Sequence, residues 1–187
     1  MARRFGDAQE PALRQQVAMA LVNKGVALGR LDRPQEEIAA CDEVVREFGG
    51  AQEPALRQQV AVALLYKGIT LGQLDKPQDA VAVYDEVARR FGGAQQPALC
   101  EMVAKALWER GLAHCRLGDP REAAASFQGC LERAESLTPA QRISFARSAA
   151  RDRPTLDEIL TNYPVAEHPE LGHVVIELAQ FLGTNRG

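Results

Sequence analysis

Histidine, serine and cysteine side chains are where nucleophilic or metal chemistry would begin in this chain. Its three histidines lie at positions 114, 168 and 173, and no serine or cysteine stands in a recognisable nucleophile motif. His168 and His173 are five residues apart across a proline, whereas a helical zinc pair has a spacing of four. We therefore predict no enzymatic activity, no metal and no cofactor, with His168 as a surface or capping residue.

The cysteines and the charged clusters give the same prediction. Cys41, Cys100, Cys115 and Cys130 form no Cys-x-x-Cys pair. Cys100 and Cys115 are expected on one helix, roughly 22 Å apart at about 1.5 Å of rise per residue, so they share neither a metal nor a disulfide. Two pairs of adjacent acids and one group of arginines are interpreted as solvated helix faces; they are Glu36 and Glu37, Asp42 and Glu43, and Arg142, Arg147, Arg151 and Arg153.

Composition and charge limit the class of protein. The 187 residues are 46% hydrophobic, 5% aromatic and 25% charged, with a formal net charge of -3. A chain of this length can bury a core without disulfides, whereas nucleic-acid binding requires a denser basic surface. There is no membrane-spanning run of about 18 apolar residues, and residues 1–5 lack the apolar stretch of a signal peptide. We expect a cytoplasmic protein that binds neither nucleic acid nor membranes.

The sequence repeats itself at a shift of 43 residues. The residues that come into register are Phe5, Phe48 and Phe91; Pro11, Pro54 and Pro97; Gly25, Gly68 and Gly111; and Pro34, Pro77 and Pro120. A fixed period of this length is typical of a stacked array. The predicted parts are a remnant of a preceding repeat helix at 1–4, repeats at 5–47, 48–90 and 91–133, and capping helices at 134–187.

Each repeat is predicted to form a hairpin of two helices. In the second repeat, Pro54 and Pro77 each suit the first turn of a helix, where a missing N–H costs nothing. Gly68 and its two counterparts fall inside the first helix, where glycine costs about 1 kcal/mol relative to alanine. We expect that the missing side chain allows close approach of the second helix, through its small residues Ala80 or Ala123.

The residues that recur in the hairpins resemble those of the tetratricopeptide repeats. That family has four characteristic positions in each hairpin: a large apolar residue, a glycine, an alanine and an aromatic residue. The third repeat has Leu107, Gly111, Ala123 and Phe127 at these positions, and the second has Leu64, Gly68, Ala80 and Tyr84. The first repeat has Leu21 and Gly25, followed by Glu37 and Cys41. The period is longer than the family's usual 34 residues, and is similar to that of its long-period relatives. The resemblance covers residues 5–133. It implies an all-α, right-handed superhelical solenoid of helix-turn-helix repeats with a helical C-terminal cap.

Glu37 departs from the family pattern, because it puts a charge where the family packs an alanine. We expect the first hairpin to be looser at Glu37, or its outer face to be exposed.

The two ends of the chain depart from the regular array. Residues 2–6 duplicate residues 88–92, the end of a second helix. We interpret the start either as part of a longer array or as an incomplete hairpin, and expect association of chains through the uncapped N-terminal repeat.

In the tail, Thr138 and Gln141 predict a capping box that opens a helix. The apolar stripe of the last helix, from Leu171 to Leu182, is expected on the third repeat or in the groove of the array.

The resemblance also implies a concave surface lined by the first helices. The positions that face it are Met19, Val22, Val26 and Arg30; Val62, Leu65, Ile69 and Gln73; and Lys105, Trp108, Leu112 and Arg116. Most of them are apolar, and tryptophan is enriched among residues that dominate binding energy. The alternative is that these side chains contact neighbouring hairpins or are covered by the tail.

The function predicted from this surface is a non-catalytic protein-interaction scaffold that binds a peptide or helix in the concave groove. Two alternatives remain: a sensor or oligomerisation arm of a larger signalling protein, and a self-assembling structural repeat array.

Overall fold

Helices that begin with proline make up most of the fold. The computed structural model describes residues 11–149 and 153–184, and in that part of the chain it has nine helices and no strand. They are α1 (Pro11–Arg30), α2 (Pro34–Phe48), α3 (Pro54–Gln73), α4 (Pro77–Phe91), α5 (Pro97–Leu117), α6 (Pro120–Glu135), α7 (Pro139–Ala149), α8 (Arg153–Asn162) and α9 (Pro169–Thr184). The prediction of an all-α fold is confirmed; the predicted remnant at 1–4 lies outside the described residues.

The helices form two compact units, which divide between Val87 and Ala88. In the first unit, α1 packs on α2 and α3, and α2 packs on α3. In the second unit, α5 packs on α6, and α9 packs mainly on α6. Leu171, Val175 and Leu178 of α9 are buried, so of the two expected placements the apolar stripe of the last helix has the one on the third hairpin.

The corner between the two helices of a hairpin has the same backbone in all three hairpins. Asp32, Asp75 and Gly118 occupy equivalent positions with left-handed φ values of 55°, 57° and 74°. The amide of the next residue then donates to the carbonyl five residues earlier, at 3.0 Å in each hairpin. This bond is typical of a helix that ends in a left-handed residue. The left-handed backbone explains why aspartate or glycine recurs at the corner.

Close helix packing explains two of the three recurring glycines. A Cβ atom on Gly68 would lie 2.8 Å from Cζ of Tyr84, and one on Gly111 would lie 2.8 Å from Cζ of Phe127. The expected close approach of the second helix is thus present, and the nearest atoms belong to its aromatic residue rather than to Ala80 or Ala123. In the first hairpin Cys41 replaces the aromatic residue, and a Cβ atom on Gly25 would lie at an ordinary 3.6 Å from its Sγ.

Glu37 is buried, contrary to the expectation of a loose or exposed first hairpin. Its side chain is only 6% exposed and lies against Gly29, where a Cβ atom would come within 2.8 Å of the carboxyl carbon. Burial raises the pKa of the Glu37 carboxyl, and a hydrogen bond with Thr70 of α3 opposes this shift. The missing side chain of Gly29 thus leaves room for the carboxyl group that stands in place of alanine.

The capping box predicted for the tail is confirmed. The Thr138 amide donates to Oε1 of Gln141 at 3.2 Å, and the Gln141 amide lies 3.4 Å from Oγ1 of Thr138. These reciprocal contacts satisfy donors that the first turn of α7 leaves unpaired.

Candidate interaction surfaces

In the N-terminal unit, the predicted groove positions lie on α1 and α3, two helices that pack on each other. They differ in accessibility: Met19, Arg30 and Gln73 are exposed, Val26, Val62 and Ile69 are half-buried, and Val22 and Leu65 are buried. The half-buried aliphatic side chains and Met19, which is 46% exposed, leave an accessible apolar surface on this pair of helices.

In the C-terminal unit, Trp108 belongs to the core. It is 2% exposed, and its ring centroid lies 5.7 Å from that of Phe127 of α6 and 6.3 Å from that of Phe145 of α7. Coverage by the tail, the alternative to a groove position, is therefore what the structure shows for Trp108. The tryptophan stabilises the packing of α7 on α5 and is not accessible to a partner.

Lys105 lies in a polar network beside that core. Its Nζ atom is 2.8 Å from Oε1 of Glu101, one turn earlier on α5. The hydroxyl of Ser144 donates to the same carboxylate oxygen at 3.0 Å. Glu101 thus connects α5 to α7, and Lys105 neutralises it.

The last two groove positions of the third repeat line a cleft. Its volume is about 470 Å³, and its lining residues are Leu112, Cys115, Arg116, Glu158, Ile159, Asn162 and Tyr163. The Tyr163 hydroxyl donates to the carbonyl of Cys115 at 2.9 Å, which ties the end of α8 to the last turn of α5. The cleft combines a buried aliphatic floor, Leu112 and Ile159, with exposed charged groups at its rim.

The charged groups of the cleft are suited to binding a ligand. Arg116 and Glu158 are exposed and of opposite charge, so each can pair with a group on a ligand. Burial raises the pKa of the Cys115 thiol to about 12, and a protonated thiol is a poor nucleophile. Burial likewise raises the pKa of Tyr163. Both side chains are therefore uncharged at neutral pH and act through packing and hydrogen bonds.

Among the described residues, no group of three His, Cys, Asp or Glu side chains is arranged to hold a metal ion. The four cysteines are free thiols.

His168 is half-buried before α9 and packs edge-to-face on Tyr163, with ring centroids 5.4 Å apart. Arg142 has a structural role, because its Nε donates to the carbonyl of Leu137 at 3.1 Å. Arg151 lies outside the described residues.

Reasoning from the sequence did not find the side of the cleft contributed by α8. The sequence offers no repeat register that would align Ile159 or Tyr163 with the first helices, so no pattern related them to Leu112. The two neighbouring apolar positions of α8, Leu156 and Ile159, were the available signal: they are spaced as one buried helix face and are 1% and 3% exposed.

Two-helix hairpins with equivalent corners at an interval of 43 residues define a helical repeat protein. Residues 65–138, from α3 to the start of α7, match the family model described as "Tetratricopeptide repeat". This part of the chain is similar to tetratricopeptide repeats, which generally mediate protein–protein interactions and are typically non-catalytic. No curated protein and no solved structure gave a significant match. None of the described helices has the length and apolarity needed to span a membrane.

Proposed function

We propose that this protein is a non-catalytic cytoplasmic scaffold that binds an apolar or amphipathic peptide or helix of a partner protein along the surface of its first helices. The observation that carries the proposal is the cleft of the C-terminal unit. Two positions assigned to a binding surface from the repeat register, Leu112 and Arg116, line it together with α8. A volume of about 470 Å³ falls within the usual range of ligand pockets.

The chemistry of the cleft defines the kind of peptide that fits it. The aliphatic floor suits one aliphatic or aromatic side chain, and burial of such a side chain contributes about 1.5–3 kcal/mol. Arg116 suits an acidic group of the peptide near that side chain, because an exposed guanidinium can form a bidentate pair with a carboxylate. The accessible apolar residues of α1 and α3 provide a second contact surface for a longer partner.

Selection from a displayed peptide library against the full chain tests this proposal. We expect enriched peptides that carry an acidic residue beside a large apolar one. Two variants alter the cleft at exposed positions and remove no buried group. Arg116→Glu reverses the charge at the rim, and Asn162→Trp fills the opening. Each should weaken binding about five- to tenfold, which corresponds to roughly 1–1.4 kcal/mol.

Arg121→Glu is the matched control, because it makes the same charge change at an exposed position of α6 outside the cleft. It should leave the affinity within about twofold of the original, since a surface charge outside the cleft contributes little to binding there. Selected peptides that bind both cleft variants as tightly as the unmodified chain would contradict the proposal.

A self-assembling array is the second candidate. One specific observation favours it: α1 exposes residues that are buried at the equivalent positions of α3. Ala20 and Ala27 are exposed on α1, whereas Ala63 is 0% and Thr70 is 2% exposed on α3. Another helix of a second copy, packed on α1, would cover this surface.

A further inference from the structure

Helix α1 exposes a face that the second repeat buries. On α1 this face runs in helical steps of three and four, and we call it the α1 docking face; its residues are Leu13, Val17, Ala20, Lys24, Ala27 and Leu31 at its edge. At the equivalent positions of α3, Leu56 and Val60 are each 1% exposed. Their counterparts on α1, Leu13 and Val17, are half-buried, and Ala20, Lys24 and Ala27 are exposed. The same sequence face is thus more exposed in the first repeat than in the second.

The N-terminal unit itself shows what covers this face on α3. Helix α2 packs on α3, and its Asp42 forms an ion pair with Lys67, with 2.6 Å between Oδ1 and Nζ. Lys67 is the counterpart of Lys24 after one period of 43 residues. A helix bound to the α1 docking face would therefore place an acidic residue opposite Lys24.

Charge along the helices selects the same kind of partner. Helix α1 contains Arg14, Lys24 and Arg30 and no acidic residue, and α3 contains Arg57 and Lys67 and again no acidic residue. Helix α2 carries five acids, Glu36, Glu37, Asp42, Glu43 and Glu47, against the single base Arg46. In this unit the cationic first helix of the second repeat is thus paired with a strongly anionic second helix.

A second copy of α1 is a poor occupant of the face. If two α1 helices pack antiparallel with their docking faces fully overlapped, Lys24 of one copy lies opposite Ala20 of the other. The two lysines would then be offset along the axis by about 6 Å, four residues at about 1.5 Å each. Two ammonium groups at that separation repel, and α1 supplies no carboxylate to neutralise them.

We propose that the α1 docking face binds an anionic amphipathic helix of a partner protein, with the α2 pattern of apolar residues and an acidic residue opposite Lys24. The binding mode is that of a helix laid along an apolar face, where apolar burial supplies affinity and the ion pair sets register. The face is distinct from the cleft of the C-terminal unit, so this inference stands or falls separately from the proposed function.

The test uses the full chain and a synthetic peptide with the sequence of residues 33–50, in which Cys41→Ala prevents oxidation. Isolated helices of this length are marginal in water. A covalent cross-link between positions 35 and 39, which are exposed in α2, therefore holds the peptide helical. Fluorescence polarisation of the labelled peptide should show saturable binding that weakens as salt is added.

Charge exchange provides the decisive comparison. Lys24→Glu in the chain should weaken peptide binding about fivefold, the effect expected when an exposed ion pair becomes repulsive. The peptide variant Asp42→Lys should lose affinity for the unmodified chain by a similar factor and regain it with Lys24→Glu. Lys76→Glu is the matched control, since it makes the same change at an exposed corner residue and should leave binding unchanged.

Two results would overturn the inference. One is peptide binding that is absent, or that Lys24→Glu leaves unchanged. The other is a concentration-dependent dimer, seen by sedimentation, that Ala20→Arg disrupts and that an excess of the peptide does not dissociate; the occupant would then be a second copy.

Discussion

At the scale of single residues, one aromatic side chain decides whether a recurring glycine is required. Gly68 and Gly111 each face an aromatic ring of the second helix, whereas Gly25 faces the smaller Cys41. The sequence predicted the glycine positions and the close approach, because the period of 43 aligns them. It did not reveal that the ring, rather than the nearby alanine, occupies the space, because the alignment says nothing about side-chain direction.

Gly111→Ala should therefore destabilise the protein. The added methyl group would overlap the ring of Phe127, which is fully buried and cannot move into solvent. Overpacking of this kind costs about 1–3 kcal/mol. Gly25→Ala is the control; at 3.6 Å from Sγ of Cys41 its methyl group fits, and the gain in helix propensity should stabilise by up to about 1 kcal/mol. Urea unfolding measures both, and equal effects of the two substitutions would refute this explanation.

The buried carboxyl of Glu37 should make stability depend on pH in an unusual direction. Because burial raises its pKa in the folded protein above the ordinary 4.5, its contribution to stability is fully present below pH 4.5 and is lost as the pH rises through the folded-state pKa. Glu37→Gln keeps the hydrogen bond to Thr70 without the charge, so it should be more stable than the original protein at pH 7.

This advantage of Glu37→Gln should shrink as the pH falls towards 4.5. Thermal unfolding at several pH values measures it, with Glu36→Gln as the control because Glu36 is exposed and pairs with Arg33 at 2.6 Å. A stability difference that is the same at pH 7 and at pH 4.5 would show that the Glu37 carboxyl does not titrate as described.

At the scale of helices, the three hairpins could be predicted almost entirely and the tail only in part. Proline at the start of each helix and the repeated corner define α1 to α6, because these residues act locally. The capping box at Thr138 likewise predicted α7. The contact of α7 with Trp108 was not predictable, because it depends on tertiary packing of a segment that has no repeat register.

Truncation of the Phe145 side chain tests whether α7 covers the core. Phe145 is 1% exposed and meets Trp108 edge-to-face, so Phe145→Ala should lower the free energy of unfolding by about 3–5 kcal/mol. Because Trp108 is the only tryptophan of the chain, its fluorescence should also shift to longer wavelength and become quenchable by acrylamide.

The control for this prediction is Ile176→Ala on α9, whose side chain is 39% exposed. It should leave the tryptophan emission unchanged. An unshifted emission spectrum in folded Phe145→Ala would contradict the role assigned to α7.

At the scale of the whole molecule, the expected function depends on surfaces rather than on reactive groups. The low aromatic content of 5% follows from helices that pack largely through alanine, valine and leucine. Four of the aromatic residues form a connected cluster in the C-terminal unit, Trp108, Phe127, Phe145 and Phe181. The cleft instead presents aliphatic, charged and polar side chains together with Tyr163, and the register of the repeat predicted two of its residues, Leu112 and Arg116.

Mapping of a selected peptide by amide chemical shifts, on the full isotope-labelled chain, tests the central claim most directly. We expect the largest changes in the last two turns of α5 and in α8, around Leu112, Arg116 and Asn162, with saturation at one peptide per chain. Shift changes confined to the second helices α2, α4 and α6, with none at the cleft, would contradict the account.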